Sequence, residues 1–255
     1  MKRWLVLIWG LLAAASAFGY LGQVIASYPS PAGTNTRGLA ITSGVLFVAD
    51  SNSPAIIYRI SPSTGATSSW YNLPFNGSPS GLAYTSGGNY LWVSVPSNDY
   101  VYRCNADSGG LYGSWSAGHN PAGLDPLGTG DGGAGATQLF TSDNGPSRFW
   151  RHYLSNGSII STVSIAAGND YDCAYDWRNN LLWVGTATYL YGYTMSGTLT
   201  GSFASPAANP RGLAYYGAYL YIGCTSNGRI YVVHCPQNFV GLTPSSMGRV
   251  KSLYR

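Results

Sequence analysis

Gly38-Leu39-Ala40 returns as Gly81-Leu82-Ala83 and Gly212-Leu213-Ala214, and Gly123-Leu124-Asp125 and Asp172-Cys173-Ala174 occupy the same slot. The intervals are 43, 42, 49 and 40 residues. Each copy continues into a short apolar run: Leu46-Phe47-Val48, Leu91-Trp92-Val93, Leu139-Phe140-Thr141, Leu182-Trp183-Val184 and Leu220-Tyr221-Ile222. A turn rich in Ser, Asn, Asp and Gly follows, then a strand carrying Tyr58, Tyr102, Trp150, Tyr191 or Tyr231. Four copies reach a fourth strand, at 66–71, 111–116, 158–165 and 199–203. Short alternating runs with β-branched and aromatic residues between Gly, Asn and Pro turns read as antiparallel strands. Asn156-Gly157 and Asn227-Gly228 are tight-hairpin signals.

Four antiparallel strands in about 40–50 residues make one blade of a β-propeller. One such sheet cannot bury both faces, whereas blades stacked around an axis bury one another and leave only short edges. The fifth copy stops after three strands, near Cys235. Its missing strand is predicted at the other end of the chain, because Ser27–Ala32 before Arg37-Gly38-Leu39-Ala40 resembles Ser202–Ala207 before Arg211-Gly212-Leu213-Ala214. The expected fold is therefore all-β: five four-stranded blades over residues 18–235, the last closed by an N-terminal strand around Gln23–Tyr28. Six blades would require a further copy for which the chain has no room.

Composition agrees. Only 9% of the 255 residues are charged, with 13 Lys and Arg against nine acidic residues, all Asp. Gly (34) and Tyr (21) are abundant. Helical proteins lean on Glu, Lys, Ala and Leu, so a mainly helical fold is excluded. The cations form no run and leave no nucleic-acid footprint. Lys2 and Arg3, the apolar stretch from Trp4 to Ala15, and Ala15-Ser16-Ala17 have the three-part layout of a secretory signal peptide over residues 1–17. The apolar run is shorter than the ~20 residues of a membrane-spanning helix. The chain is thus expected to be exported, extracellular or periplasmic, without a membrane span after cleavage. Residues 236–255 form a short basic, apolar tail. Export permits disulfides, but Cys104, Cys173, Cys224 and Cys235 allow three pairings, and buried thiols are an equal alternative.

Leu46-Phe47-Val48-Ala49-Asp50-Ser51 with Ile57-Tyr58-Arg59-Ile60-Ser61-Pro62-Ser63-Thr64-Gly65 resembles the NHL and YVTN propeller repeats of secreted bacterial proteins, and also the blades of glutaminyl cyclotransferases. The resemblance covers all five copies and is a blade motif. It implies the architecture, and it reaches binding modules, lactonases and lyases alike.

In such a ring the loops between strands two and three share a face with the loops entering each blade. The expected ligand-binding mouth on that face collects Arg37, Asp50, Asn52, Asn98, His119, Asn120, Asp143, Asn144, Asp172, Arg211, Asn227 and Arg229. Amides, hydroxyls and a few charges suit a polar small molecule, a glycan or a protein, although Asn, Asp and Ser also stand there simply as turn formers. No catalytic set is legible. The three histidines (His119, His152, His234) are not expected to converge, and Gly-x-Ser-x-Gly is absent. The enzyme alternative, a hydrolase, lactonase or cyclotransferase, would use Asp50, Asp143, Asp172 and His119. A structural cell-surface role is the third class. No cofactor is implied. Asp125 and Asp131 are weak candidates for Ca²⁺, the latter inside Gly128–Gly135, which is expected to be a mobile surface loop on the face opposite the mouth. Arg59, Arg103 and Arg151 follow the strand-three aromatics and should point to the opposite side of their strands.

Overall fold

The computed structural model describes residues 20–52, 54–143, 147–166 and 171–237. The expected leader at 1–17, Asn144 and the tail from 238 onward lie outside the described residues. β1 (Val24–Pro29) precedes four complete blades. These are β2 (Thr36–Ile41), β3 (Leu46–Asp50), β4 (Ile56–Ile60) and β5 (Thr67–Asn72); β6 (Leu82–Thr85), β7 (Tyr90–Val95), β8 (Tyr100–Asn105) and β9 (Leu111–Ser116); β10 (Pro121–Leu127), β11 (Gln138–Asp143), β12 (Arg148–Tyr153) and β13 (Ile159–Ser164); and β14 (Asp172–Asp176), β15 (Leu181–Gly185), β16 (Tyr189–Thr194) and β17 (Leu199–Ala204). The fifth blade holds β18 (Pro210–Tyr216), β19 (Tyr219–Cys224) and β20 (Arg229–His234), with β1 as its outer strand. β1 runs antiparallel to β20, Tyr28 opposite Ile230 and Ala26 opposite Val232. The five-bladed ring closes as its sequence predicts. No helix among the described residues is long and apolar enough to cross a membrane.

The strand-two aromatics Phe47, Trp92, Phe140, Trp183 and Tyr221 are all buried. They pack between blades. Phe47 lies in a cluster with Leu82, Leu91 and Val93 of the second blade, and Trp183 in one with Leu213, Leu220 and Ile222 of the fifth. Full burial of such side chains contributes about 1.5–3 kcal/mol each. The four cysteines are buried thiols. Cys104 joins the first of these clusters, and Cys224 and Cys235 the second, filling space as small hydrophobes.

At the axis the inner strands β2, β6, β10, β14 and β18 meet almost backbone to backbone. A Cβ on Gly38 would stand 2.3 Å from the Leu82 nitrogen, one on Gly81 2.6 Å from the Leu124 nitrogen, and one on Gly212 2.3 Å from the Arg37 carbonyl oxygen. The recurring glycine is therefore a packing requirement of ring closure. Direct bonds cross the seams. Gly38 N–H donates to the Ser80 carbonyl at 2.6 Å. Gly81 N–H donates to Ser94 Oγ at 2.8 Å, and that hydroxyl donates to the Ala122 carbonyl at 3.0 Å.

The end of the axis away from the two-to-three loops is capped. The loop between β10 and β11 folds across it instead of standing out as a mobile surface loop. Asp131 accepts hydrogen bonds from Trp177 Nε1 (2.8 Å) in the fourth blade and from the Gly217 backbone (2.9 Å) in the fifth. Gly133, at φ 65°, passes so close to the Tyr84 carbonyl of the second blade that a Cβ would lie 2.4 Å away. A cavity of about 20 Å³, lined by Asp125, Tyr84 and Trp177 among others, remains beneath the loop, with room for one water. The loop was expected to move because its composition is glycine-rich. It packs instead because those glycines permit contact with its neighbours.

Gly38→Ala should lower stability by about 1–3 kcal/mol or prevent folding, since the obstructing atom is backbone and cannot give way. Gly44→Ala, where no atom lies within 4 Å of the added methyl, should change stability by less than about 0.5 kcal/mol. Urea unfolding midpoints measured side by side check both.

Candidate functional site

Two arginines and a tyrosine hold equivalent positions in three consecutive blades, immediately before the axial glycine slot. They are Tyr171 before Asp172, Arg211 before Gly212 and Arg37 before Gly38. The Arg211 guanidinium carbon lies 3.6 Å from the centre of the Tyr171 ring, a close cation–π contact. Arg37 donates from Nη1 to the Thr36 carbonyl at 3.2 Å. Its pKa is lowered, first by burial and then by the Arg211 charge, while Asp50 acts in the opposite direction. The Arg37 carbonyl oxygen lies 2.3 Å from where a Cβ on Gly212 would stand, so the two arginines enter the axial face from touching strands. The one ion pair found among the described residues joins Arg59 to Asp107, at 3.0 Å, so neither Arg37 nor Arg211 has a carboxylate within pairing distance there. Tyr171 is the residue that sequence reading missed. The repeat register that aligned Arg37 with Arg211 places Tyr171 in the same slot.

The remaining expected site residues divide by position. Asp50, at the end of β3, is buried and accepts the Asn52 N–H at 2.9 Å; Asn52 is exposed. Asp143 is buried at the end of β11. Asn98 and Asn227 are exposed, and each donates to the phenol of a strand-three tyrosine, Tyr102 at 2.8 Å and Tyr231 at 2.7 Å. Arg229 reaches Ser27 of β1, with its carbonyl at 3.2 Å and its hydroxyl at 2.9 Å, and so ties the closing strand to β20. Asn120 is exposed in the loop entering the third blade.

Asp172 does not face the mouth. It stands where the other inner strands have glycine, with no exposed surface. Its Oδ2 accepts the Leu213 N–H of the fifth blade at 2.7 Å, and its Oδ1 accepts its neighbour Cys173 N–H at 2.9 Å. Burial pushes its pKa well above the usual carboxylate value, and the backbone N–H groups of Leu213, Cys173 and Leu124 oppose that rise. Leu213 belongs to the fifth blade, so this carboxyl group staples the fourth blade to the fifth. Asp125 is similarly engaged. It accepts the Tyr175 N–H of the fourth blade, and burial likewise raises its pKa.

His119 and His152 converge, contrary to the expectation from their positions in the chain. The His119 ring turns inward from its loop and stacks on Trp150 (4.7 Å between centroids, 9° between planes). Its Nε2 lies 2.8 Å from Thr141 Oγ1, which lies 3.1 Å from His152 Nε2. His152 Nδ1 is 2.8 Å from the Gly157 carbonyl. A carbonyl can only accept, so Nδ1 carries the proton and neutral His152 accepts from Thr141 at Nε2. Thr141 then accepts from His119 Nε2–H. Thr141 and His152 have no exposed surface, so this chain is an internal brace rather than a reactive triad. The His119 pKa falls to about 4, through burial first and the nearby His152 ring second. Burial also lowers that of His152. His234 lies elsewhere, beside Tyr219.

This arrangement defines the class: a five-bladed β-propeller whose inner strands touch at the axis and whose polar end carries an arginine pair. No protein-family model matches the sequence, and no curated protein matches it either. Solved structures do. The glutaminyl cyclase of Myxococcus xanthus is 15% identical with a TM-score of 0.67, over 84% of this chain and 95% of that chain. A chain of the nidogen/laminin complex is 19% identical (TM-score 0.54, 74% of this chain and 72% of that one). The WD40 propeller domain of Doa1 is 14% identical (TM-score 0.53, 78% and 63%). At these identities the likeness is one of fold.

Asp172→Ala should destabilise by about 1–3 kcal/mol for each N–H left without an acceptor, read as a lower urea midpoint with an unchanged denaturant slope. For the histidines the sign is as follows. Above pH 6.5 both rings are neutral in folded and unfolded chains. Between 6.5 and about 4 the unfolded chain binds the proton that folded His119 refuses, so stability falls with pH across that window. The wild type should lose more melting temperature from pH 7 to pH 4.5 than His119→Gln. Equal losses would show that His119 does not titrate this way.

Proposed function

We propose that the chain is an exported binding module whose axial face recognises an acidic, polar ligand, with glycans that carry carboxylates as the best-fitting class. The observation that carries this reading is the Tyr171–Arg211–Arg37 arc. Two arginines enter the axial face from touching strands of adjacent blades, neither has a carboxylate within pairing distance among the described residues, and one stacks on an aromatic face. A carboxylate could take the fork of one arginine, and Tyr171 adds a surface for a sugar ring. Export rests on Lys2, Arg3, the apolar run from Trp4 and Ala15-Ser16-Ala17. Binding is favoured over the hydrolase or cyclotransferase alternative because Asp172 and His119 are committed to internal hydrogen bonds. The cyclase likeness, at 15% identity, brings no residue roles with it.

The test is an array of acidic and neutral glycans probed with the full chain. Acidic members should bind, more weakly as salt rises. Arg37→Ala and Arg211→Ala should each reduce binding about tenfold or more without lowering the melting temperature. Equal capture of neutral and acidic glycans, or variants that bind as wild type does, would overturn the proposal.

A further inference from the structure

The blades are repeats, so the same slot can be compared from seam to seam. At the seam between the first and second blades, Arg59 of β4 pairs with Asp107 in the turn after β8 at 3.0 Å. In the next copy Arg103 takes the place of Arg59, and Ser155 takes the place of Asp107. Arg103 therefore faces the next blade without the carboxylate its counterpart has, and no described acidic residue pairs with it. One copy further on, Arg151 is satisfied within its own blade by the Gln138 carbonyl, at 3.2 and 2.5 Å. Of the three equivalent arginines, only Arg103 lacks a polar side-chain partner among the described residues.

The second-to-third seam is also open. Gly113 stands opposite Arg103 where the preceding blade has Ser69 opposite Arg59, and nothing lies within 4 Å of where its Cβ would be. Two adjoining hollows of about 250 and 110 Å³ share Trp92, Arg103, Leu154 and Ser155. Tyr90 walls the larger and Trp115 the smaller. The Arg103 guanidinium lies over Tyr90 at 4.9 Å and Trp92 at 5.7 Å. These rings leave the N–H edge of the fork for an acceptor. Trp115 Nε1 is buried without a hydrogen-bond partner.

The geometry points to a second ligand site in this lateral cleft, one that takes a small carboxylate with a flat aromatic body. The ligand's carboxylate occupies the place that Asp107 fills at the neighbouring seam and accepts from Arg103. Its ring lies among Tyr90, Trp92, Trp115 and Leu154. A cation alone would hold any small anion, and an aromatic cleft alone would hold any apolar ring. The two together select a molecule that has both, the usual composition of a small-molecule pocket. This site is independent of the arginine pair on the axial face.

The probe is benzoate, titrated calorimetrically into the full chain, with acetate and benzyl alcohol as half-ligands. Benzoate should saturate with a Kd tighter than about 10 mM, and each half-ligand should bind at least about tenfold more weakly. Arg103→Gln should weaken benzoate about tenfold or more. Ser155→Asp restores the carboxylate of the neighbouring seam. It should abolish binding while the melting temperature stays level or rises, so that loss of binding cannot be confused with loss of fold. Benzoate bound as tightly by Ser155→Asp or Arg103→Gln as by wild type would overturn the site. So would acetate matching benzoate, absence of saturation, or binding that disappears in Arg37→Ala instead.

Discussion

Five inner strands approach the axis so closely that a methyl group has no place between them, and most of the molecule's design follows from that contact. A wider propeller leaves a channel that side chains or ligands can line. Here Gly38, Gly81, Gly123 and Gly212 bring backbone against backbone, and the seams are crossed by the Gly38 N–H, which reaches the Ser80 carbonyl, and by the Ser94 hydroxyl, which reaches the Ala122 carbonyl. The axis is a packed core. Both proposed sites accordingly lie outward of it, one at the rim of the axial face and one in a cleft between blades.

The exception in the glycine ring explains itself by what it does. Asp172 brings a side chain into the one slot the other blades leave bare, and its carboxyl group takes the Leu213 N–H of the fifth blade and the Cys173 N–H of its own strand. Burying a carboxyl group costs free energy, and the fold offsets that cost with hydrogen bonds from two backbone donors. The β10–β11 loop does the same at the capped end, where Asp131 joins the fourth and fifth blades. Carboxylates that resemble metal ligands in the sequence thus act as staples between blades.

The architecture was legible because each blade writes it again. Periodicity two, turn residues at regular spacing and the recurring Gly-Leu-Ala identify strands and their order, and the likeness of Ser27–Ala32 to Ser202–Ala207 identifies the closing strand. What was not legible depends on the direction of single side chains. Whether His119 turns out to solvent or in toward Thr141 is decided by its stacking on Trp150, while Trp115 of the second blade packs on His152 across a seam that no local pattern records. Asp172 was visible as an acidic residue in a glycine slot, but its polarity suggested a surface. Only the close contact at the axis shows that the slot lies inside. The glycine-rich loop misled in the same way, since small residues serve mobility and close packing equally well.

Repetition also separates residues that serve the fold from those free to serve a ligand. A residue type kept in every copy, such as the strand-two aromatic at Phe47, Trp92, Phe140, Trp183 and Tyr221, answers a need common to all seams: apolar area between blades. A residue that breaks the pattern answers a local need, and its partners show which. At Asp172 the break engages two backbone N–H donors, one of them in the next blade, and is structural. At Ser155 it removes a partner from a neighbouring cation and leaves the space unfilled. Loss of an ion pair exposed on a surface costs little, about 0–1 kcal/mol, so the fold tolerates the change without compensation. A cation released at such low cost, in a cleft walled by aromatic rings, is available to a ligand in a way that Arg59 and Arg151 are not.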